Sequence, residues 1–229
     1  MDALTALLPP EERAALEAAL AAVELPQAQP PAPAPAPAQL PNDPLPPSAR
    51  AAFDAIWPHT RLAFPAPNPR SVMRNDLPLA RDTLVGPKTD GERFLLFVTQ
   101  GGNFLVNRAL RVSPPTHESF GPALTQGIGT VLDCELVQCA GGSHALIAFD
   151  CYAHCGRPCN DLGFAARINI AAKVRERGYR YRPMLDTWEL RVKNFVALDL
   201  AEAVLAAKYD HPIDGLVMQP ASSLMQCGM

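Results

Sequence analysis

Residues 88–93 read Lys88-Thr89-Asp90-Gly91-Glu92-Arg93, and residues 130–137 read Thr130-Val131-Leu132-Asp133-Cys134-Glu135-Leu136-Val137. The first stretch sets a lysine after Gly86-Pro87 and ahead of a strand, with an acid two residues on and Arg93 opening the apolar run. A lysine acts as nucleophile only when its amine loses its proton. Burial and nearby cations such as Arg93 lower its pKa toward that state. Gly91 lacks a Cβ and lets the backbone approach a ligand closely. The second stretch alternates as a strand, with Asp133 and Glu135 on one face beside Val131 and Val137. Two acids on one face are costly to bury unless they bind a metal or hydrogen-bond donors.

Outward from these stretches, short β patterns dominate. Residues 93–98 and 103–106 form a hairpin pattern across Gly101-Gly102, and 130–137 and 145–150 form another across Gly141-Gly142. Phe149-Asp150 ends an apolar strand with an aromatic and an acid on opposite faces. Residues 161–177 have helical spacing, with Gly178 just past the end. Residues 187–198 alternate: Trp188, Leu190 and Val192 face one way, Glu189, Arg191 and Lys193 the other, so Lys193 points into a cleft. Asp199 is the expected N-cap of a helix over 199–208, and 213–218 is a last strand with Asp214 at its start. Ser48 is the expected cap of a helix to Trp57, with Ala52, Phe53 and Ile56 inward. Strand pairs mixed with separate helices predict an α+β fold.

The chain has 229 residues, a hydrophobic fraction of 48% and a net charge of −3. That balance excludes a polybasic protein held to nucleic acid by bulk electrostatics. No stretch approaches the ~18 apolar residues of a membrane span, so no membrane association is expected. The start lacks a basic n-region, and an intracellular protein with reduced thiols is expected. Of 25 prolines, ten fall in residues 26–47. Proline lacks the N–H and fixes φ, so this window predicts an extended polyproline spacer. Three segments follow: a helical arm over 1–24, a Pro/Ala-rich linker over 25–49 and a globular domain over 50–229. The spacing of Cys151, Cys155 and Cys159 fits neither zinc nor iron–sulfur patterns, which leaves free thiols as the expectation.

The ordered set of lysine motif, D-x-E strand, F-D strand, V-K-N strand and D-G-L-V strand resembles the covalent nucleotidyltransferase superfamily. That superfamily comprises mRNA capping guanylyltransferases and ATP- or NAD-dependent nucleic-acid ligases. The resemblance spans roughly residues 64–220, including Phe64-Pro65-Ala66-Pro67-Asn68-Pro69 with Ser71 and Arg74. Gly86 stands where ligases usually carry glutamate, Asp214-Gly215 replaces their glutamate-glycine, and K-T-D-G is typical of guanylyltransferases, whose threonine helps read guanine.

The resemblance implies a nucleotidyltransferase domain of antiparallel sheets with flanking helices. It implies that Lys88 attacks the α-phosphate of GTP, releases pyrophosphate and passes GMP to the diphosphate 5′ end of RNA. Thr89, Asp90 and Gly91 would line the nucleotide, Arg93 would contact ribose or phosphates, and Phe149 would stack on guanine. Lys193 would reach the base or phosphates. Glu135, with Asp133 as the weaker candidate, would bind ribose or a metal, and Asp214 would help hold Mg²⁺ (or Mn²⁺). The family's fifth motif, a lysine pair, has no counterpart in residues 219–229. The domain is therefore expected to be incomplete, without an OB-fold. An OB-fold subunit, an RNA triphosphatase or a cap methyltransferase is an expected partner in trans. The implied location is the nucleus for a cellular protein, or the host nucleus or cytoplasm for a viral one. A ligase-type adenylation domain and a catalytically dead binding subunit are the alternatives.

Overall fold

The run Phe94-Leu95-Leu96-Phe97-Val98 is apolar at every position, and every one of these side chains is buried. A strand buried on one face alternates; a strand without alternation needs cover on both. The structure, a computed structural model, provides it. It describes residues 45–58, 64–71, 82–113 and 119–225, all within one compact unit. The expected helical arm and nearly all of the Pro/Ala linker lie outside these residues.

Helix α1 (Pro47–Ile56) has Pro47 in its first turn and buries Ala49, Ala52, Phe53 and Ile56, the spacing of one helical face. Ser48 makes no cap bond; its hydroxyl meets the Thr99 hydroxyl at 2.9 Å, because Pro46 occupies the N-cap position. Strand β1 (Thr83–Thr89) follows, then β2 (Glu92–Thr99), β3 (Gly102–Asn107) and β4 (Ser119–Phe120). Strands β5 (Thr130–Gln138), β6 (His144–His154) and β7 (Arg157–Pro158) lead to helix α2 (Phe164–Lys173), which ends in a π turn at Gly178. The chain closes with β8 (Tyr179–Arg180), β9 (Glu189–Val192), β10 (Val196–Ala197), α3 (Ala201–Ala206) and β11 (Ile213–Pro220).

A six-stranded sheet runs β3-β2-β5-β6-β7, with β9 pairing β6; a three-stranded sheet runs β10-β1-β11; and β4 pairs β8. One face of the large sheet presents Leu95, Phe97, Phe104, Val106 and Val131 to α1, with Trp57 edge-on to Tyr152 at 5.3 Å. The other presents Phe94, Leu96, Leu132, Leu146 and Leu190, which pack with Ala171 of α2 and with Val174 and Trp188. Each such side chain removed from water contributes roughly 1.5–3 kcal/mol.

The α+β class and both hairpins stand as expected. Besides the Ser48 cap, four expectations are corrected. Lys88 lies within strand β1, not ahead of one. The single strand expected over 187–198 is two, β9 and β10, parted at residues 193–195. Asp199 caps nothing, since a 3₁₀ turn (Leu198–Leu200) puts Leu200 at the N-cap of α3. The sheets are antiparallel except β6 with β9, which run parallel because α2 carries the chain back across the sheet. Among the described residues, no helix is long and apolar enough to cross a membrane.

Candidate active site

The lysine motif sits on the thin sheet. The β1–β11 ladder shifts register between Pro87 and Thr89, so the single residue Lys88 faces two on β11, Asp214 and Gly215, and stands opposite a β-bulge in that strand. Bulges re-aim a side chain out of the pleat. Across from it Gly215 adopts φ 135°, a conformation that favours glycine. Lys88 Nζ then meets Asp214 Oδ2 at 2.5 Å, with side chains 42% and 46% exposed. Asp90 donates its backbone N–H to Pro212 O at 3.1 Å, and its side chain faces solvent. Gly91 is a close approach, though to β5 and not to a ligand. A Cβ there would lie 2.4 Å from Leu136 O.

The large sheet builds the opposite wall. Arg93 Nε and Nη2 donate to Asp133 Oδ1 and Oδ2 at 2.9 and 2.6 Å, and Nη1 donates to Pro67 O at 2.8 Å. Tyr152 adds its hydroxyl to Asp133 Oδ2 at 2.6 Å. Three donors on a fully buried carboxylate answer the desolvation problem posed by Asp133, and leave it unavailable to ribose or metal. The Arg93 guanidinium stands 5.2 Å from the Phe64 ring centroid and 5.3 Å from that of Phe149. Burial opposes its charge, but Asp133 outweighs burial and holds its pKa above the usual value. Arg93 thus shapes the wall.

Lys193 completes it. Its ammonium lies 5.0 Å from the Phe149 centroid and 3.9 Å from Glu135 Oε2. Burial lowers its pKa to about 8, against the pull of Glu135 and Asp133. The desolvation expected for Lys88 therefore falls on Lys193, whose side chain is 5% exposed. Glu135 accepts the Gly91 N–H at 3.3 Å, and burial raises its pKa against the field of Lys193. Thr89 is buried, and its hydroxyl has no partner.

Thus Lys88, Glu135, Phe149, Lys193 and Asp214, distant in sequence, converge. Residues 41–229 match the family "mRNA capping enzyme, catalytic domain". The chain belongs to that family. Among curated proteins no sequence matches it. Among solved structures it is similar to mycobacterial DNA ligase D complexed with ATP and MES (17% identity, TM-score 0.46, 65% of this chain and 52% of that one). It is also similar to the M. tuberculosis LigD ligase domain (17%, 0.46, 65% and 51%) and to a Lig E DNA ligase described as binding DNA with a minimal scaffold (14%, 0.45, 72% and 65%). The chain spans about half the length of the first two.

Sequence reasoning missed two supports of this candidate site in the capping-enzyme domain. Tyr152 belongs to none of the motifs and carries no spacing that marks it. Arg167 also stands outside the motifs, yet it is buried and donates Nε and Nη2 to Asp150, the residue after Phe149, at 2.8 and 3.0 Å. Its spacing within α2, three after Phe164 and four before Ala171, was the available signal. The thiols of Cys134, Cys139, Cys151, Cys155 and Cys159 are free, and among the described residues no three His, Cys, Asp or Glu side chains group as a metal site. Glu135 and Asp214 offer hard carboxylate oxygens, the donors Mg²⁺ takes when substrate phosphates complete its shell.

Proposed function

We propose that this domain is an mRNA guanylyltransferase that forms a covalent lysyl-GMP and passes GMP to the diphosphate 5′ end of RNA. Lys88 Nζ attacks the α-phosphorus of GTP, a P–N bond forms and the α–β phosphoanhydride breaks, releasing pyrophosphate. Asp214 Oδ2, already on Nζ, orients the amine and is the nearest acceptor for its proton. In the second half, a terminal phosphate oxygen of the RNA displaces the P–N bond and Lys88 recovers a proton. Glu135 and Asp214 would hold Mg²⁺ (or Mn²⁺), which neutralises the triphosphate when bound. Phosphoryl-type transfer is mainly positioning and charge stabilisation, which this cluster supplies. An OB-fold subunit, triphosphatase or cap methyltransferase acting in trans belongs to the same proposal.

One observation carries the preference for GTP over ATP: the desolvated Lys193 ammonium at the Phe149 ring. An ammonium only donates hydrogen bonds. Guanine offers O6 and N7 acceptors along that edge, whereas adenine places an amino donor at position 6. The unpartnered Thr89 hydroxyl is a second donor for the same edge.

Incubation with α-labelled GTP or ATP and Mg²⁺, followed by denaturation, tests this. Label retained from GTP supports the reading. Label from ATP alone makes the domain a ligase-type adenylation module, and label from neither makes it a binding subunit.

A further inference from the structure

The segment between α3 and β11 carries charged groups that the proposed chemistry does not use. Asp210 accepts both Nη1 contacts of Arg191, at 3.0 and 2.8 Å, and lies 3.0 Å from His211 Nδ1. Arg191 also donates Nε to Glu189 Oε2 at 2.8 Å, so its fork is aimed by its own strand, β9. The backbone is tied too. Ala140, in the β5–β6 turn, donates its N–H to Asp210 O at 2.6 Å, and two residues later Pro212 O takes the Asp90 N–H. The ladder then starts at Ile213 opposite Thr89, and Asp214 meets Lys88.

These bonds form a chain. Arg191 stands two residues before Lys193 on the large sheet; Asp210 stands four before Asp214 on the thin one. The strap at residues 209–212 is the short covalent path by which the large sheet sets where β11 begins. Where β11 begins sets the bulge that aims Lys88.

We propose that the Arg191–Asp210 pair is a positioning latch, which holds Asp214 and the Lys88 amine in register with the wall of Glu135, Phe149 and Lys193. Its predicted effect on catalysis rests on the guanylyltransferase reading; its geometry does not. The pair is 33% and 50% exposed. Exposed pairs add little to stability, so the latch works by geometry rather than by holding the fold together. A small misplacement of reacting atoms costs rate far more than it costs binding.

The test uses the full chain with Arg191→Met, which keeps the stem and drops the fork, Asp210→Asn, and Arg191→Lys as the conservative variant. Amide hydrogen exchange reads the latch without any activity. Ala140 and Asp90 should exchange about ten-fold faster in Arg191→Met and Asp210→Asn, with Leu96 unchanged. Single-turnover labelling from GTP should then slow about ten-fold or more, with half-saturating GTP within about two-fold of wild type, because the base wall is untouched. Arg191→Lys should recover part of the rate, since it restores charge without the fork.

Unchanged exchange at both amides overturns the latch. So does faster exchange with an unchanged labelling rate, or a rise in half-saturating GTP that matches the loss of rate. A melting point lowered by more than about 5 °C makes the pair a support of the fold and overturns it too. If wild type takes no label from either nucleotide, the guanylyltransferase reading fails, and the exchange data alone decide whether the strap is latched.

Discussion

The two sheets that supply the site are built differently. On the six-stranded sheet and the turn beside it the wall's cations and their counter-ion are nearly dry, Arg93 8% exposed, Lys193 7% and Asp133 not at all, with Glu135 and Phe149 half-buried between them. On the three-stranded sheet the side chains of Lys88 and Asp214 are almost half exposed, and β11 is nowhere fully buried. A wall covered on both faces by helices and aromatics holds its charges in one arrangement. A thin sheet with a bulge and a positive-φ glycine can present a reactive amine to a ligand. On the proposed reading, the architecture separates rigidity for recognition from access for chemistry, and substitutions on the two sheets should fail in different ways.

The sharpest break is Lys88→Ala. Covalent labelling should be abolished while the melting point stays within about 3 °C, because a half-exposed pair is lost; label persisting on the variant would move the nucleophile elsewhere. Next is Asp133→Asn, which leaves the buried Arg93 without its counter-charge. It should cost about 3–5 kcal/mol and lower the melting point by about 6 °C or more, read by calorimetry. Phe149→Ala removes a stacking face worth roughly 1–3 kcal/mol, so half-saturating GTP should rise about ten-fold with little change in stability.

A smaller effect is set by pH. Lys193 is protonated below about 8. Preference for GTP over ATP in single-turnover labelling should therefore hold below that pH and weaken above it. The same group acts on folding with a definite sign. Its folded pKa lies below the unfolded value of 10.5, so the unfolded state binds more protons between about 8 and 10.5, and its contribution to stability rises with pH across that window. The least effect on folding is expected for Asp214→Asn, under about 1 kcal/mol. A larger loss would place that strand start among the fold's supports and blur the contrast between the sheets.

Much of this was readable along the chain. The hairpins at 93–106 and 130–150 announce themselves by glycine pairs between apolar runs. The alternation after Trp188 puts Leu190 in the core, but it ends at Val192, and Lys193 sits in the break before β10. The contiguous motifs carry Lys88, Glu135, Phe149 and Asp214 in order. Strand β1 was not readable, because Gly86-Pro87 breaks the local β pattern and tertiary pairing with β11 and β10 overrides it. The caps assigned to Ser48 and Asp199 failed for a related reason: each hydroxyl or carboxylate is a capable cap, but a neighbouring proline or 3₁₀ turn moves the helix start.

Order and chemical type are properties of the chain, so its residues alone settle the α+β class and which amine, acids and ring serve as candidates. Desolvation and hydrogen-bond occupancy are not, because they depend on what packs from strands a hundred residues away. Only the folded arrangement reveals that Lys193 rather than Lys88 is the buried amine. It also reveals that Arg93 is spent on Asp133, and that Arg191 of β9 pairs with Asp210 in the loop that leads into β11.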